Sequence, residues 1–95
     1  MKNALTRSQV YSLIDGERAY QDSLGPDRKR DPGPVISLTQ AEFFTLMRVY
    51  LAKAETEWTL NPGEYVEAAQ ANVRKIGAMC VQSMEKYGAP ERKTL

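Results

Sequence analysis

Asn61-Pro62-Gly63-Glu64-Tyr65-Val66-Glu67-Ala68-Ala69-Gln70-Ala71-Asn72-Val73-Arg74-Lys75-Ile76-Gly77-Ala78-Met79-Cys80-Val81-Gln82-Ser83-Met84-Glu85-Lys86-Tyr87-Gly88 is the stretch that decides the fold. Asn61 has the side chain of a helix cap, Pro62 suits the first helical position and Glu64 is placed to reach back to the cap. The spacing predicts a helix over 62–87. Gly88 supplies a left-handed position after it and Pro90 prevents continuation. Ala69, Val73, Ile76, Met79, Cys80 and Met84 form one wide stripe, with the amide of Asn72 at its edge. Ala68, Gly77, Ala78 and Val81 spread apolar surface round much of the circumference. A helix apolar nearly all round is buried on more than one side. It is therefore expected to be the central packing element, covered in part by two other helices and for the rest by another subunit.

Two further helices read outward from it. Ser37…Gln40 and Thr39…Glu42 both fit a capping box, and the second adds a carboxylate at the positive end of the helix dipole. A helix over 38–58 follows, with Phe43, Met47, Tyr50, Leu51, Ala54 and Trp58 on one face and Phe44 and Leu46 widening it. Thr6…Gln9 is another capping box and opens a helix over 6–23, with Val10, Leu13, Ile14, Glu17, Tyr20 and Leu24 at helical spacing. Gly16 costs that helix about 1 kcal/mol against alanine, which predicts close approach of another backbone there. Residues 25–36 hold three prolines and two glycines and read as a loop. Residues 89–95 read as a tail. No strand pattern or internal repeat is present. The expected fold class is an all-α, three-helix single domain, assembled into a homo-oligomer.

Composition narrows the chemistry. The 95 residues carry 13 basic and 12 acidic side chains, a net charge of +1, which argues against coating nucleic acid through bulk charge. The single cysteine, Cys80, permits no intrachain disulfide. The first residues have no apolar core of a signal peptide, and no run is long and apolar enough for a bilayer. The expectation is a cytoplasmic protein with no membrane partner. Histidine is absent, which removes histidine bases, Ser-His-Asp and Cys-His nucleophiles, and Cys/His zinc sites. No cofactor or metal is expected.

Four constellations could carry function. Glu17, beside Arg18 in Asp15-Gly16-Glu17-Arg18, falls on an apolar stripe where a carboxylate is costly unless paired. It would bind a ligand or, with slightly more weight, pair structurally with a cation such as Arg48 or Lys75. Among the acidic residues, Glu64-Tyr65-Val66-Glu67 gives one Glu-x-x-Glu. MazG-type nucleotide pyrophosphohydrolases hold Mg²⁺ with such a pair plus a Glu-x-x-Asp, and no Glu-x-x-Asp occurs in this chain. Arg28, Lys29 and Arg30 in the long loop could clamp phosphates, with Arg74 and Lys75 as a second basic pair. Tyr11 and Phe44 lie towards the edges of their stripes, where either could stack on a base or enter an interface. The remaining aromatics read as core, and Cys80 as packing.

Ile14-Asp15-Gly16-Glu17-Arg18-Ala19-Tyr20-Gln21-Asp22, Val73-Arg74-Lys75-Ile76-Gly77-Ala78-Met79 and Met84-Glu85-Lys86-Tyr87-Gly88-Ala89-Pro90-Glu91-Arg92 together resemble a group of small proteins of tailed bacteriophages and prophages. Members often carry a histidine before the central helix and another where this chain has Tyr87. This chain has neither, so no histidine-dependent role carries over. The resemblance implies a phage accessory protein acting in the host cytoplasm. One class of such proteins consists of compact helical oligomers that sequester nucleotide signals of bacterial immunity.

The resulting expectation is a non-enzymatic homo-oligomer that binds a nucleotide-type signal at a subunit interface. Arg28, Lys29, Arg30, Arg74 or Lys75 would meet phosphates, Tyr11 or Phe44 would stack on a base, and Glu17 and Arg18 would lie nearby. One alternative is an inhibitor that docks on a host enzyme or defence protein through an apolar helical face. The other is a Mg²⁺-dependent nucleotide pyrophosphohydrolase.

Overall fold

Thr6, Thr39 and Asn61 were the three helix signals in the sequence, and the computed structural model uses two of them as read. It describes residues 3–24 and 38–93, in which α1 (Arg7–Leu24), α2 (Gln40–Leu60) and α3 (Glu67–Tyr87) form with no strand among the described residues. At α1, the Thr6 backbone N–H donates to Gln9 Oε1 at 2.8 Å, and the Gln9 N–H donates to the Thr6 hydroxyl at 3.2 Å. At α2, Thr39 and Glu42 make the same reciprocal pair, at 2.8 and 3.1 Å. The competing cap at Ser37 and the 25–36 loop lie outside the described residues.

The hydrogen bonds from the Thr39 backbone and hydroxyl hold the Glu42 carboxyl below its ordinary value of 4.5. A carboxyl depressed on folding adds stability above its unfolded value and loses it as pH falls through the folded one. The melting temperature of Glu42→Ala is therefore expected to lie below that of the wild type at neutral pH. The gap should close once pH drops well under 4.5, as thermal melts by circular dichroism across pH will show.

Asn61 does not open α3. Its backbone N–H donates to the Glu57 carbonyl at 3.2 Å and so ends α2. The Trp58 indole N–H donates to the Gly63 carbonyl at 3.1 Å. A helix starting at Pro62 would offer that carbonyl to a later backbone N–H instead. Residues 61–66 are thus a connection tied to α2, and α3 starts at Glu67, five residues after the expected start, with no side-chain cap on Val66. Glu64 is not a capping residue. Its partner in Glu-x-x-Glu, Glu67, sits on the helix while Glu64 does not. At the other end Gly88 takes φ 76° and its N–H donates to the Met84 carbonyl, the positive φ that favours glycine.

Both α1 and α2 pack on α3 and make no contact with each other, so α3 is the central element. The α2–α3 pair is antiparallel. Phe43 meets Tyr87 edge-on with ring centres 6.3 Å apart, and the Tyr87 hydroxyl and Lys86 ammonium both donate to the Leu38 carbonyl. α1 meets α3 differently. Glu17 and Arg18, adjacent on α1, reach Arg74 and Glu85, eleven positions or about 16 Å apart on α3. α1 therefore lies across α3 rather than along it. Where they cross, Ile14 Cδ1 comes within 3.0 Å of where a Cβ on Gly77 would be. The close approach expected at Gly16 is absent, since nothing lies within 4 Å of a Cβ there. The glycine that admits a neighbouring helix is Gly77.

The core is small. Among the described residues Phe43 is the one large side chain that is fully buried, joined by Met79, Ala54, Ala69 and Ala78. Fourteen large apolar or aromatic side chains among the described residues stay 39–71% exposed. They are not centred on α3 as expected. With α1 and α2 on either side of it, α3 shows Val73, Met84 and Tyr87, whereas α2 shows Val49, Leu60 and, in one heptad-spaced row, Phe44, Leu51 and Trp58. Leu51 and Trp58 leave the inner face, which is built from Phe43, Leu46, Met47, Tyr50 and Ala54.

Candidate functional site

Three of the four described charged candidates are paired within the chain. Glu17 has a side chain only 11% exposed and accepts a hydrogen bond from Arg74 Nε at 3.0 Å. The buried carboxylate thus has a structural partner, and it is Arg74 rather than Arg48 or Lys75. Arg18 is the one buried charged residue among those described. Its Nε donates to Glu85 at 2.7 Å and a terminal nitrogen donates to Asp22 at 3.0 Å. The hydrogen bond it donates to Glu85 raises its pKa against the opposing effect of burial, with Asp22 adding to the rise. Both Arg18 and Arg74 are therefore committed to carboxylates, which weakens their claim to phosphate. Lys75 Nζ stands 5.8 Å from the centre of the Tyr50 ring, a cation–π distance. Arg28, Lys29 and Arg30 lie outside the described residues. Asn72 donates to the Ala68 carbonyl at 3.1 Å, a bond within its own helix. Gln21 Oε1 is buried with no hydrogen-bond partner among the described residues.

The two stacking candidates do not meet. Tyr11 is on α1 and Phe44 on α2, and these helices do not touch within the chain. Both rings are open, at 63% and 53% exposure. Around Tyr11 there are two concave regions. A cleft of about 470 Å³ between α1 and α3 is lined by Tyr11, Ile14, Ala19 and Val81 together with Arg18, Asp15, Asp22 and Glu85. Three carboxylates against one guanidinium make that side repel phosphate. The other is a shallow hollow along the outer face of α1, where Tyr11 stands with Arg7, Ser8, Ser12 and Asp15. Arg7 is spaced four residues from Tyr11, and Ser8 likewise from Ser12, so each pair stacks one turn apart on one helix face. That spacing is legible in the sequence. No group of three or more metal-ligating side chains exists among the described residues. Nor is any described helix long and apolar enough to cross a membrane.

Compared with known protein families, curated proteins and solved structures, the chain shows no match.

Proposed function

We propose that the protein is a non-enzymatic homo-oligomer that binds a nucleotide-type ligand, with the outer face of α1 as half of the site. One observation carries the reading: Tyr11, 63% exposed, shares a shallow hollow with Arg7, Ser8, Ser12 and Asp15. An open aromatic face suits a base, a guanidinium suits a phosphate, and hydroxyls suit ribose or phosphate oxygens. One helix face is too flat to enclose a ligand, so a second subunit supplies the opposite wall. Arg28, Lys29 and Arg30, which the sequence places between α1 and α2, are the further cations this site would draw on. The resemblance to phage accessory proteins fits a role in sequestering a nucleotide signal of the host's defence.

Thermal shift against cyclic mono-, di- and trinucleotides tests this, with calorimetry on any hit. The expected result is stabilisation by one class at micromolar affinity. Base stacking contributes about 1–3 kcal/mol, so Tyr11→Ala should weaken binding on the order of 10- to 100-fold. No shift across the panel at millimolar ligand overturns the reading. The apolar row on α2 favours a second one, an inhibitor docking on a host protein. A chain that comes down alone from bacterial lysate while still binding nucleotide decides against that.

A further inference from the structure

Two lysines mark one side of the α2–α3 pair. Lys53 Nζ and Lys75 Nζ lie 5.3 and 5.8 Å from the centre of the same ring, Tyr50. Two residues along an α-helix turn it by about 200°. Leu51 on α2 and Val73 on α3 therefore fall on the side away from the lysines. Phe44 and Trp58 join Leu51 there, seven residues before and after it, and Met84 joins Val73 three turns on. Phe44, Leu51, Trp58, Val73 and Met84 are 53, 50, 52, 45 and 49% exposed. Each rests its inner half on its own helix pair and leaves the outer half bare. The row from Phe44 to Trp58 is about 21 Å long, and two helices side by side are about 20 Å wide. The helices span a face on the order of 400 Å², on which these five side chains are grouped rather than scattered.

The face is self-complementary. Phe44 and Trp58 are equally spaced about Leu51, and Val73 and Met84 are centred between residues 78 and 79. The contact of Phe43 with Tyr87 sets the register of the antiparallel pair. Eight residues on from Phe43 is Leu51, and eight back from Tyr87 is Met79. Both midpoints thus lie at one level. A two-fold axis at that level, perpendicular to the helices, carries Leu51 onto the partner's Leu51, Phe44 onto the partner's Trp58 and Val73 onto the partner's Met84. Arg48 and Glu55 flank the row on its outer edge, and the same axis sets Arg48 against the partner's Glu55. Neither is in an ion pair with another described residue. A closed two-fold contact needs this reciprocity, residue i on j and j on i.

We propose that two copies of the chain pair through this face, their α2–α3 hairpins forming an antiparallel four-helix bundle with Leu51 on the axis. The pairing rests on the homo-oligomer part of the function proposed above and names the surface that makes it. It covers five of the exposed apolar side chains.

Light scattering and disulfide trapping on the full chain test it. The wild type should run at twice the chain mass of 10.7 kDa or an even multiple of it. Leu51→Cys, made with Cys80→Ser, should cross-link under mild oxidation, because residues on the axis bring their Cα atoms within disulfide reach. Ala52→Cys in the same background, turned about 100° away, should not. Arg48→Glu should weaken the dimer by about tenfold, and adding Glu55→Arg should restore it. These arms hold even where a charge in the apolar row such as Leu51→Asp fails to fold. An oligomer in which Leu51→Cys does not cross-link overturns the face and leaves oligomerisation standing. A chain that stays monomeric at all concentrations overturns both.

Discussion

Phe43→Ala is expected to remove most of the stability of the fold. Phe43 is 1% exposed and is the only large side chain so completely enclosed among the described residues. Truncating a buried phenylalanine costs about 3–5 kcal/mol, as lost transfer energy plus the cavity left behind. A domain of this length has a total of about 5–14 kcal/mol, and a core whose other members are Met79 and three alanines belongs at the low end. The ring also packs edge-on against Tyr87, whose hydroxyl holds the Leu38 carbonyl ahead of the α2 cap. Its loss therefore loosens the end of the hairpin where α2 begins and α3 ends. Urea denaturation followed by circular dichroism should show a chain largely unfolded without denaturant, or a midpoint shifted close to zero. The neighbouring Phe44→Ala is the control. Its ring is 53% exposed, so the same truncation should cost the single chain less than about 1 kcal/mol and act on assembly instead. A wild-type midpoint for Phe43→Ala would mean that the core lies elsewhere.

The contrast between these adjacent phenylalanines shows where sequence reading stops. Helical periodicity places Phe43, Phe44, Leu51 and Trp58 on one broad apolar arc, and a wheel cannot say how much of that arc one neighbour covers. α3 covers the part centred on Phe43 and Ala54, while Phe44, Leu51 and Trp58 stay half out. Local chemistry was easier to read. The reciprocal caps at Thr6 and Thr39 depend on residues three apart, and both form as expected. Asn61 instead closes α2 through its own N–H on the Glu57 carbonyl, and the Trp58 indole holds the Gly63 carbonyl beside it. The need for a partner at Glu17 was legible from its position on the stripe. Its identity was not, because it depends on the crossing of α1 over α3, and that crossing selects Arg74. Of the candidate site, Tyr11 was legible as an edge aromatic, and Arg7 four residues before it was overlooked.

Arg18→Ala is expected to free α1 while leaving the α2–α3 hairpin folded. Among the described residues α1 has no contact with α2 and packs on α3 alone. That hold is the Ile14–Gly77 contact, the Glu17–Arg74 pair and the bonds of Arg18 to Glu85 and to Asp22 on its own helix. The Arg18 side chain is 11% exposed whereas Glu85 is 55% exposed. Removing the arginine therefore opens a cavity and loses a charge-assisted bond, but Glu85 can be rehydrated. On that basis the cost is about 1–3 kcal/mol, less than for a pair buried on both sides. Because the loss falls on one attachment, it should appear as local opening rather than as a uniform drop. Hydrogen exchange should speed up in the amides of α1 and change little in those of α2 and α3. Arg18→Lys should recover only part of the protection. An ammonium keeps the charge but lacks the planar fork that presents separate N–H groups to Glu85 and Asp22. Equal acceleration in all three helices would show that α1 is integral to one cooperative unit, and the picture of a crossing helix hung on α3 would be wrong. If α1 does loosen alone, Tyr11 and Arg7 move with it. Nucleotide affinity should then fall in Arg18→Ala, although Arg18 itself faces away from phosphate, towards two carboxylates.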